Sequence, residues 1–389
     1  MLLLLLIVTG CSQNKVTDVK NNQKSNITPV SVLNLKALQT IETITPDLAK
    51  HKTVLIGEHH TQYADHLNQL AIIKNLHKVW QKDTSIGLEM IQQPYQSSLN
   101  DYIAGKIGER EMLKKVQWYD RWRYDFRLYR PIFLYAKANK IPLVALNIPK
   151  ELTRKITKVG IKGLSTKERQ QLPAFIDRSN ANYIKRITSV FGKHTKTSSK
   201  GIEKFLDAQL AWDEGMAYAA AKYLKKNASM RMVILAGGGH IIKREGIPDR
   251  LDRQIHSRSA VVLNNTKEPP STKLGDYLLF SPEIKLPPAG LIGIVMNDSK
   301  NGVVVKSLSF HGAASKAGLK AGDIIVAIDN QGIKTSSDVR IWALDKKPDM
   351  KAKIRFKRQN TLITKTVTLK KSLPLGSHNR QNLGAIHKK

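Results

Sequence analysis

The densest group of chemically active side chains in the sequence follows an apolar run that ends at Gly57. The stretch TVLIGEHHTQYADH places three imidazoles and two carboxylates within nine positions: Glu58, His59, His60, Asp65 and His66. Such groups together bind metal ions, exchange protons in acid–base catalysis or ligate haem iron. They also occur at ordinary strand ends as hydrogen-bonded loop residues. The spacing alone leaves these four interpretations open.

Polar side chains follow other apolar runs in the same way. Glu89 closes the run SIGLEM, Asn147 closes IPLVALN, and His240 follows MRMVILAG after a glycine-rich turn. In a parallel α/β sheet, ligands bind outside the carboxyl ends of the strands. We therefore expect these three residues, together with Glu58 and His60, to converge on one crevice.

The runs that must position these groups alternate with helical patterns between residues 31 and 283. Strands are predicted for 53–57, 85–90, 141–147, 230–237, 259–265 and 274–282. Helices are predicted for 64–82 and 126–139, and a helical insertion for about 165–225. The apolar runs lack alternation, as is typical of strands buried on both faces of a mainly parallel sheet. The sequence thus predicts an α/β domain, a sheet flanked by helices, over 31–283.

The pattern changes after Pro287-Pro288 to short β runs, which predicts a small β-rich domain over 284–373. Its stretch AASKAGLKAGDIIVAIDNQGI resembles the core signature of bacterial PDZ domains. The resemblance implies that a peptide of an unidentified partner protein adds to a sheet edge. Its terminal carboxylate would bind the loop formed by Leu291, Ile292, Gly293 and Ile294. Helix residues near Val339 and Leu344 are expected to line the groove.

The first residues indicate an exported protein. Residues 1–11, MLLLLLIVTGC, are too short to span a bilayer and have the size of a signal-peptide apolar region. The end of this stretch resembles a bacterial lipobox, which implies that Cys11 is lipidated and inserted in the bilayer. Ser12 after it implies sorting to the outer membrane of a Gram-negative envelope, facing the periplasm. Residues 12–30 are expected to be a flexible tether, and 374–389 a basic tail.

The chain is strongly basic, with 64 Lys and Arg against 31 Asp and Glu and a net charge of +33. Such a field favours anionic partners, which are nucleic acids or anionic lipid surfaces. No nucleic-acid-binding motif is recognisable. Because an exported lipoprotein meets little nucleic acid, we assign the charge to lipids or an anionic ligand and expect no nucleic-acid partner.

Several stretches together resemble the ChaN-like family of haem-binding lipoproteins in the Tiki/TraB superfamily. They are LIGEHHTQYADH, GLEM, RWRYDFRLYRPIFLYA, QLAWDEGMA and AGGGHIIKREGIPDRL. A Gly-x-x-His element occurs twice, as Gly57–His60 and Gly237–His240. The resemblance implies haem as the cofactor and iron uptake or handling as the role.

Haem iron takes a Tyr or His axial ligand, and its propionates need cations. The axial candidates are His60, His66, Tyr124 and Tyr129, and His240 is a further cofactor-binding candidate. Arg130 and the nearby arginines are expected to pair with propionates or phosphates. The spacing of Trp118, Trp122 and Phe126 favours one amphipathic helix that buries all three. Trp212 is likewise interpreted as a core residue.

A metal-dependent hydrolase is the alternative, since hydrolytic members of the superfamily use such residues. His60 and His240 would then hold a divalent metal ion with Glu58, and Glu58 or Glu89 would act as general base. A scaffold acting only through the PDZ groove is the third reading. We favour a haem-binding protein without enzymatic activity over both. A homodimer that encloses haem between two copies is one expected arrangement.

Overall fold

A computed structural model describes residues 33–192, 199–266 and 268–371 of the 389-residue chain. The predicted signal peptide with Cys11, the tether and the tail 374–389 lie outside the described residues.

The first domain contains a six-stranded sheet with the order β3-β2-β4-β1-β5-β6 and only parallel pairings. Its strands are β1 (Thr53–Glu58), β2 (Thr84–Gln92), β3 (Leu143–Asn147), β4 (Arg231–Gly237), β5 (Ala260–Asn264) and β6 (Tyr277–Leu279). The predicted α/β class with a mainly parallel sheet is confirmed.

Helices cover both faces of this sheet. They are α1 (Ile41–Leu48), α2 (Tyr63–Trp80), α3 (Gln96–Ile103), α4 (Glu109–Lys115), α5 (Trp118–Arg121), α6 (Arg130–Ala138), α7 (Lys150–Val159), α8 (Thr166–Arg169), α9 (Ala181–Gly192), α10 (Ser199–Lys226) and α11 (Ile247–Ile255). Val54 and Ile56 pack with α2 and α6, whereas Leu55 between them packs with α10 and α11. Both faces are therefore buried, which explains why the strands are continuously apolar.

Short 3₁₀ helices join several of these elements. They are Leu35–Ala37, Gln81–Asp83, Gln93–Tyr95, Phe126–Leu128, Gly238–His240, Ile242–Arg244 and, in the second domain, Ala343–Asp345. Within the described residues, no helix is long and apolar enough to cross a membrane.

The single amphipathic helix expected for Trp118 to Phe126 is wrong. Helix α5 ends at Arg121, and Arg123 has a positive φ of 75°. Trp118 and Phe126 are buried in the core as expected, whereas Trp122, which follows α5, is half-buried, packs against that core and also lines a crevice. A positive φ is uncommon for residues other than glycine, so an Arg at position 123 does not predict this turn.

The second domain is a small antiparallel sheet with the order β13-β12-β10-β9-β8. Its elements are β7 (Gly290–Leu291), β8 (Ile294–Ser299), β9 (Gly302–Leu308), α12 (Ala313–Lys316), β10 (Ile324–Ile328), β11 (Gln331–Gly332), α13 (Ser336–Trp342), β12 (Lys351–Arg358), β13 (Thr361–Thr368) and β14 (Lys370–Lys371). Strand β8 forms one edge and lies beside α13. The expected β-rich second domain is confirmed, with an edge to which a strand can be added.

The helix residues expected to line the groove lie elsewhere. Val339 packs in the core of the second domain, and Leu344 joins the core of the first. Each is 5% exposed, and the small exposed part of Leu344 lines a cavity between the two domains.

Candidate functional site

The carboxyl ends of β1, β2, β3 and β4 meet at a crevice of about 430 Å³. It is lined by His60, Glu89, Met90, Gln92, Arg121, Trp122, Tyr124, Asn147, Ile148, Lys150, Thr153, Arg154, Trp212 and His240. A larger hollow of about 930 Å³ near Leu164 and Tyr218 has no histidine or carboxylate in its wall. His60, Glu89 and His240 therefore line the smaller cavity, as we predicted from their positions at the strand ends.

Glu58, the last residue of β1, is a buried anchor beneath the crevice rather than part of its wall. The Tyr129 hydroxyl donates to its Oε1 at 2.7 Å, and the Gln69 amide donates to its Oε2 at 2.8 Å. His60 Nδ1 donates to Oε1 at 2.8 Å, and His66 Nδ1 lies 3.2 Å from Oε2. Burial by itself would raise the pKa of Glu58, but the hydrogen bonds from the two histidines outweigh it and lower that pKa.

His60 presents its other ring nitrogen to the crevice. Its Nε2 makes no hydrogen bond within the described residues, since only Nδ1 is engaged, by Glu58. The ring packs 4.8 Å from Trp122 and 5.0 Å from Tyr124, measured between centroids. Burial lowers the pKa of His60, and the carboxylates of Glu58 and Glu89 more than offset this, so the pKa is raised.

His240 is held on both sides by carboxylates. Its Nδ1 lies 2.5 Å from Asp213 on α10, and its Nε2 lies 3.4 Å from Glu89. Burial opposes the charged ring, but the charges of Asp213 and Glu89 raise the pKa of His240 to about 9. His240 is therefore a cation at neutral pH, in contact with Glu89.

Glu89 lies between the two histidines and is fixed by the backbone. Its Oε2 accepts a hydrogen bond from the Gly237 amide at 2.6 Å. Asn147 donates to the Glu89 carbonyl and accepts from the Trp212 indole at 2.5 Å. Trp212 packs against the hydrophobic core as expected, and this chain of bonds also places it in the crevice wall.

Three cations line the outer part of the crevice. Arg121 pairs with Glu151 at 3.1 Å, whereas no ion pair joins Lys150 or Arg154 to a carboxylate of the described residues. Burial, and then the neighbouring positive charges of Arg123, Arg154 and Arg121, lower the pKa of Lys150. The rim thus offers unneutralised positive charge to an anionic ligand.

The structure separates the predicted site residues into two groups. His60, Tyr124, Glu89 and His240 line the crevice. His66 and Tyr129 are 1% and 0% exposed and serve Glu58 from below.

Arg130 is also absent from the crevice wall, which corrects its expected role. It pairs with Glu109 at 2.9 Å and with Asp345 of the second domain at 2.6 Å. Both of its partners lie far from it in sequence, so a local pattern could not reveal them.

Asp213 and Trp122 are site residues that the sequence reasoning did not identify. Asp213 lies in QLAWDEGMA, one of the stretches that carry the family resemblance, and a buried acid within that helix was the available signal. For Trp122 the helical spacing predicted a core position instead.

In the loop of the second domain, Leu291 is exposed, Ile292 is buried and Gly293 has a φ of 80°.

Within the described ranges, no group of three or more His, Cys, Asp or Glu residues is arranged to hold a metal ion. Glu58 is saturated by its four partners, and Glu89 is bonded to Gly237 and His240.

Comparison with known proteins agrees with this architecture. The family model described as haem-binding uptake, Tiki superfamily, ChaN matches residues 44–251, more than half of the chain, and a PDZ domain model matches 290–369. The chain belongs to this ChaN haem-binding family of the Tiki superfamily, and it carries a C-terminal PDZ domain.

Individual relatives are distant. One solved structure shows cofacial haem binding to ChaN of Campylobacter jejuni, whose sequence is 20% identical to this chain. The match has a TM-score of 0.51 and covers 62% of this chain and 91% of that one. It shows the shared fold. A plant protein, RETICULATA-RELATED 5, chloroplastic, of Arabidopsis thaliana, is 25% identical over 51% of this chain and only 29% of its own length.

Another solved structure has a weaker likeness to part of this chain. An HtrA-type protease AlgW with decapeptide matches 22% of this chain and 30% of that chain, at 21% identity and a TM-score of 0.22. This likeness is too slight to carry an argument.

The chemistry of the crevice fits haem. Trp122, Tyr124 and Trp212 supply aromatic walls, and His60 supplies an imidazole nitrogen that no other described residue engages. Lys150 and Arg154 supply cations for carboxylates. An apolar slot with one Lewis base and a basic rim is what haem requires.

Proposed function

We propose that this crevice binds haem and that His60 is the axial ligand. The observation that carries the proposal is the Glu58–His60 hydrogen bond, which fixes the ring and directs the free Nε2 away from it. Metal-ligating histidines characteristically donate their other ring N–H to a carboxylate or carbonyl, which orients the ring and raises its basicity. Glu58 has this role here, and Tyr129 and Gln69 hold Glu58 in place.

The other crevice groups are less suited to ligate iron. His240 is engaged at both ring nitrogens, by Asp213 and by Glu89, so it serves to hold Glu89. Burial, and then the charges of Glu89 and Glu58, raise the pKa of Tyr124, which disfavours the phenolate that iron binds. Tyr124 and Trp122 instead wall the slot beside His60. Lys150 and Arg154 would pair with the propionates.

A haemin titration of the purified protein tests this. Wild type is expected to give a saturable Soret shift, and His60→Ala to bind at least about tenfold more weakly with a changed band. His59→Ala is the matched control, because the His59 ring is half exposed, pairs with Asp65 and does not line the crevice. No shift with wild type would refute haem binding, and equal spectra for both variants would refute the role of His60.

We further propose that the protein works in the cell envelope, anchored through lipidated Cys11 to the outer membrane, in haem-iron uptake or handling. The lipobox-like stretch before Cys11 and the surplus of Lys and Arg support this proposal. Cys11→Ala is expected to move the protein from the membrane fraction to the soluble fraction, with Ser12→Ala as control. Retention of Cys11→Ala in the membrane would contradict lipid anchoring at this residue.

The PDZ domain is proposed to bind a peptide from a partner protein at the β8 edge, beside the loop from Leu291 to Ile294.

We also propose that two copies pair when haem binds, since the distant relative binds haem cofacially. Sedimentation of the full chain with and without haemin tests the pairing. A monomer under both conditions would contradict it.

A further inference from the structure

The PDZ domain lies against the haem-binding domain through helix α13. Ile341 and Leu344, at the end of this helix and just beyond it, are buried in the hydrophobic core of the first domain. Arg110 donates to the Ile341 carbonyl at 2.6 Å, and Lys114 pairs with Asp338 at 2.7 Å. The helix that borders a PDZ groove is thus also an interface helix.

A cavity of about 210 Å³ lies in this interface, and both domains line it. The first domain contributes Tyr119, Arg123, Asp125 and Arg127, and the second contributes Ala289, Leu291, Arg340, Ala343 and Leu344. Leu291 belongs to the loop that is expected to receive a peptide carboxylate. The cavity therefore adjoins that end of the groove.

The charge in this cavity is not balanced. Arg127 is neutralised by Asp125 through bonds of 2.6 to 3.1 Å. Arg340 lies over the Tyr119 ring at 5.7 Å, and neither Arg340 nor Arg123 pairs with a carboxylate among the described residues. Two exposed guanidinium groups, one from each domain, thus remain available to an anion.

The backbone of the adjoining loop also has donors to spare. The carbonyls of Ile292 and Gly293 accept from Ala314 and Ser309, but the described backbone hydrogen bonds do not use the N–H groups of these two loop residues. Gly293 has a φ of 80°, and a Cβ there would lie 3.1 Å from Gly312 Cα, so the loop requires glycine. Successive free amides in a loop of this kind form a nest for a carboxylate.

We propose that this interface cavity is a composite site for the C-terminal carboxylate of a peptide, built by both domains. The loop amides bind the carboxylate, while Arg123 and Arg340 add charge from the two sides. The volume and the apolar surfaces of Leu291, Ala343 and Leu344 suit an aliphatic last residue. The inference rests on the peptide binding proposed for the PDZ domain and assigns the haem-binding domain a direct part in it.

The test uses the full chain and fluorescent decapeptide pools that end in Val, Leu, Ala or Phe, each as free acid and as C-terminal amide. Binding is measured by fluorescence polarisation. Free acids are expected to bind at least about tenfold more tightly than amides, because a charged hydrogen-bonding group is lost in the amide. Arg123→Ala and Arg340→Ala are each expected to weaken acid binding about tenfold and to reduce the preference for acid over amide.

Arg355→Ala is the matched control, since Arg355 is exposed on β12 of the same domain and lies outside the cavity. It removes the same charge and is expected to change affinity less than about twofold. Peptides that bind wild type and all three variants equally would overturn the composite site but leave a peptide-binding PDZ domain. Absence of peptide binding to wild type would overturn both. Dichroism spectra confirm that each variant is folded.

Discussion

His60 Nδ1 lies 2.8 Å from Glu58 Oε1, and this hydrogen bond joins a carboxylate buried beneath the crevice to a side chain in its wall. Glu58 is the last residue of the buried strand β1, so the sheet fixes its position. The hydrogen bond from His60 in turn fixes the position of the histidine ring. The Tyr129 hydroxyl reaches the same carboxylate oxygen from the core side at 2.7 Å. The site is therefore preorganised by residues that themselves do not reach the crevice.

Gly237 gives a direct test of this ring position. A Cβ added there would lie 2.9 Å from Cε1 and 3.1 Å from Nε2 of His60, so Gly237→Ala must displace the ring. We expect haemin affinity to fall about tenfold or more, because a small misplacement of a ligating group is costly. Gly239→Ala, whose Cβ meets nothing within 4 Å, is the control. Haemin titrations that do not distinguish the two variants would contradict the assignment.

The two tyrosines predicted as axial candidates provide a second test. Tyr129→Phe removes a buried donor to a carboxylate and is expected to lower the free energy of unfolding by about 2 kcal/mol. Tyr124→Phe, at the crevice wall, is expected to leave stability nearly unchanged and to alter the Soret band only slightly. Urea unfolding and haemin spectra measure both properties. A lost Soret shift in Tyr124→Phe would make this phenol, and not His60, the ligand.

His240 predicts a pH dependence of stability. Its folded-state pKa is raised from 6.5 to about 9, so the stabilisation is complete below pH 6.5 and is lost as pH rises through 9. The free energy of unfolding is expected to fall over this window by up to about 3 kcal/mol.

Urea unfolding between pH 6 and 10 measures this effect. His240→Gln is expected to remove most of the slope, whereas His59→Gln, half exposed, should retain it. A wild-type profile that is flat over this range, or that rises, would contradict the ion pair of His240 with Asp213.

Arg130 predicts an effect on the domain interface and none on haem. Its bonds to Glu109 and Asp345 are part of the contact between the two domains. Arg130→Ala is expected to cost about 1 kcal/mol, since the pair is partly exposed, and to separate the two domains' unfolding transitions in calorimetry. Haemin affinity should stay within about twofold of wild type. A tenfold loss of haemin affinity would restore the propionate role first expected for this arginine.

The sequence predicted the sheet and the convergence of strand ends well, because both follow from local apolar runs and a general rule of parallel sheets. It could not rank the axial candidates. His66 lies in the first turns of α2, where the packing of that helix against β1 directs its ring beneath Glu58. How deeply the His66 ring is buried depends on tertiary packing, and no short sequence pattern predicts that packing.

The fate of Trp122 and Arg130 shows two further limits. The spacing of Trp118, Trp122 and Phe126 is helical, but α5 ends at Arg121 and Arg123 has a positive φ, so the three residues do not share one helix. Arg130 has a partner 215 positions away, in another domain. Local periodicity is silent about both a chain reversal at an unusual residue and a long-range ion pair.

Residues 118–127 form a partition between two compartments. Trp122 and Tyr124 face the crevice at the strand ends, whereas Tyr119, Arg123 and Arg127 face the cavity beside the PDZ loop. Suppose that a bound peptide shifts these residues and so changes the affinity for haem. Haem must then change the affinity for the peptide by the same factor, because the coupling between two binding sites is reciprocal. If both proposed ligands bind, one short wall separates them, and a partner that carries the peptide would bind the haem-loaded and haem-free protein with different affinities.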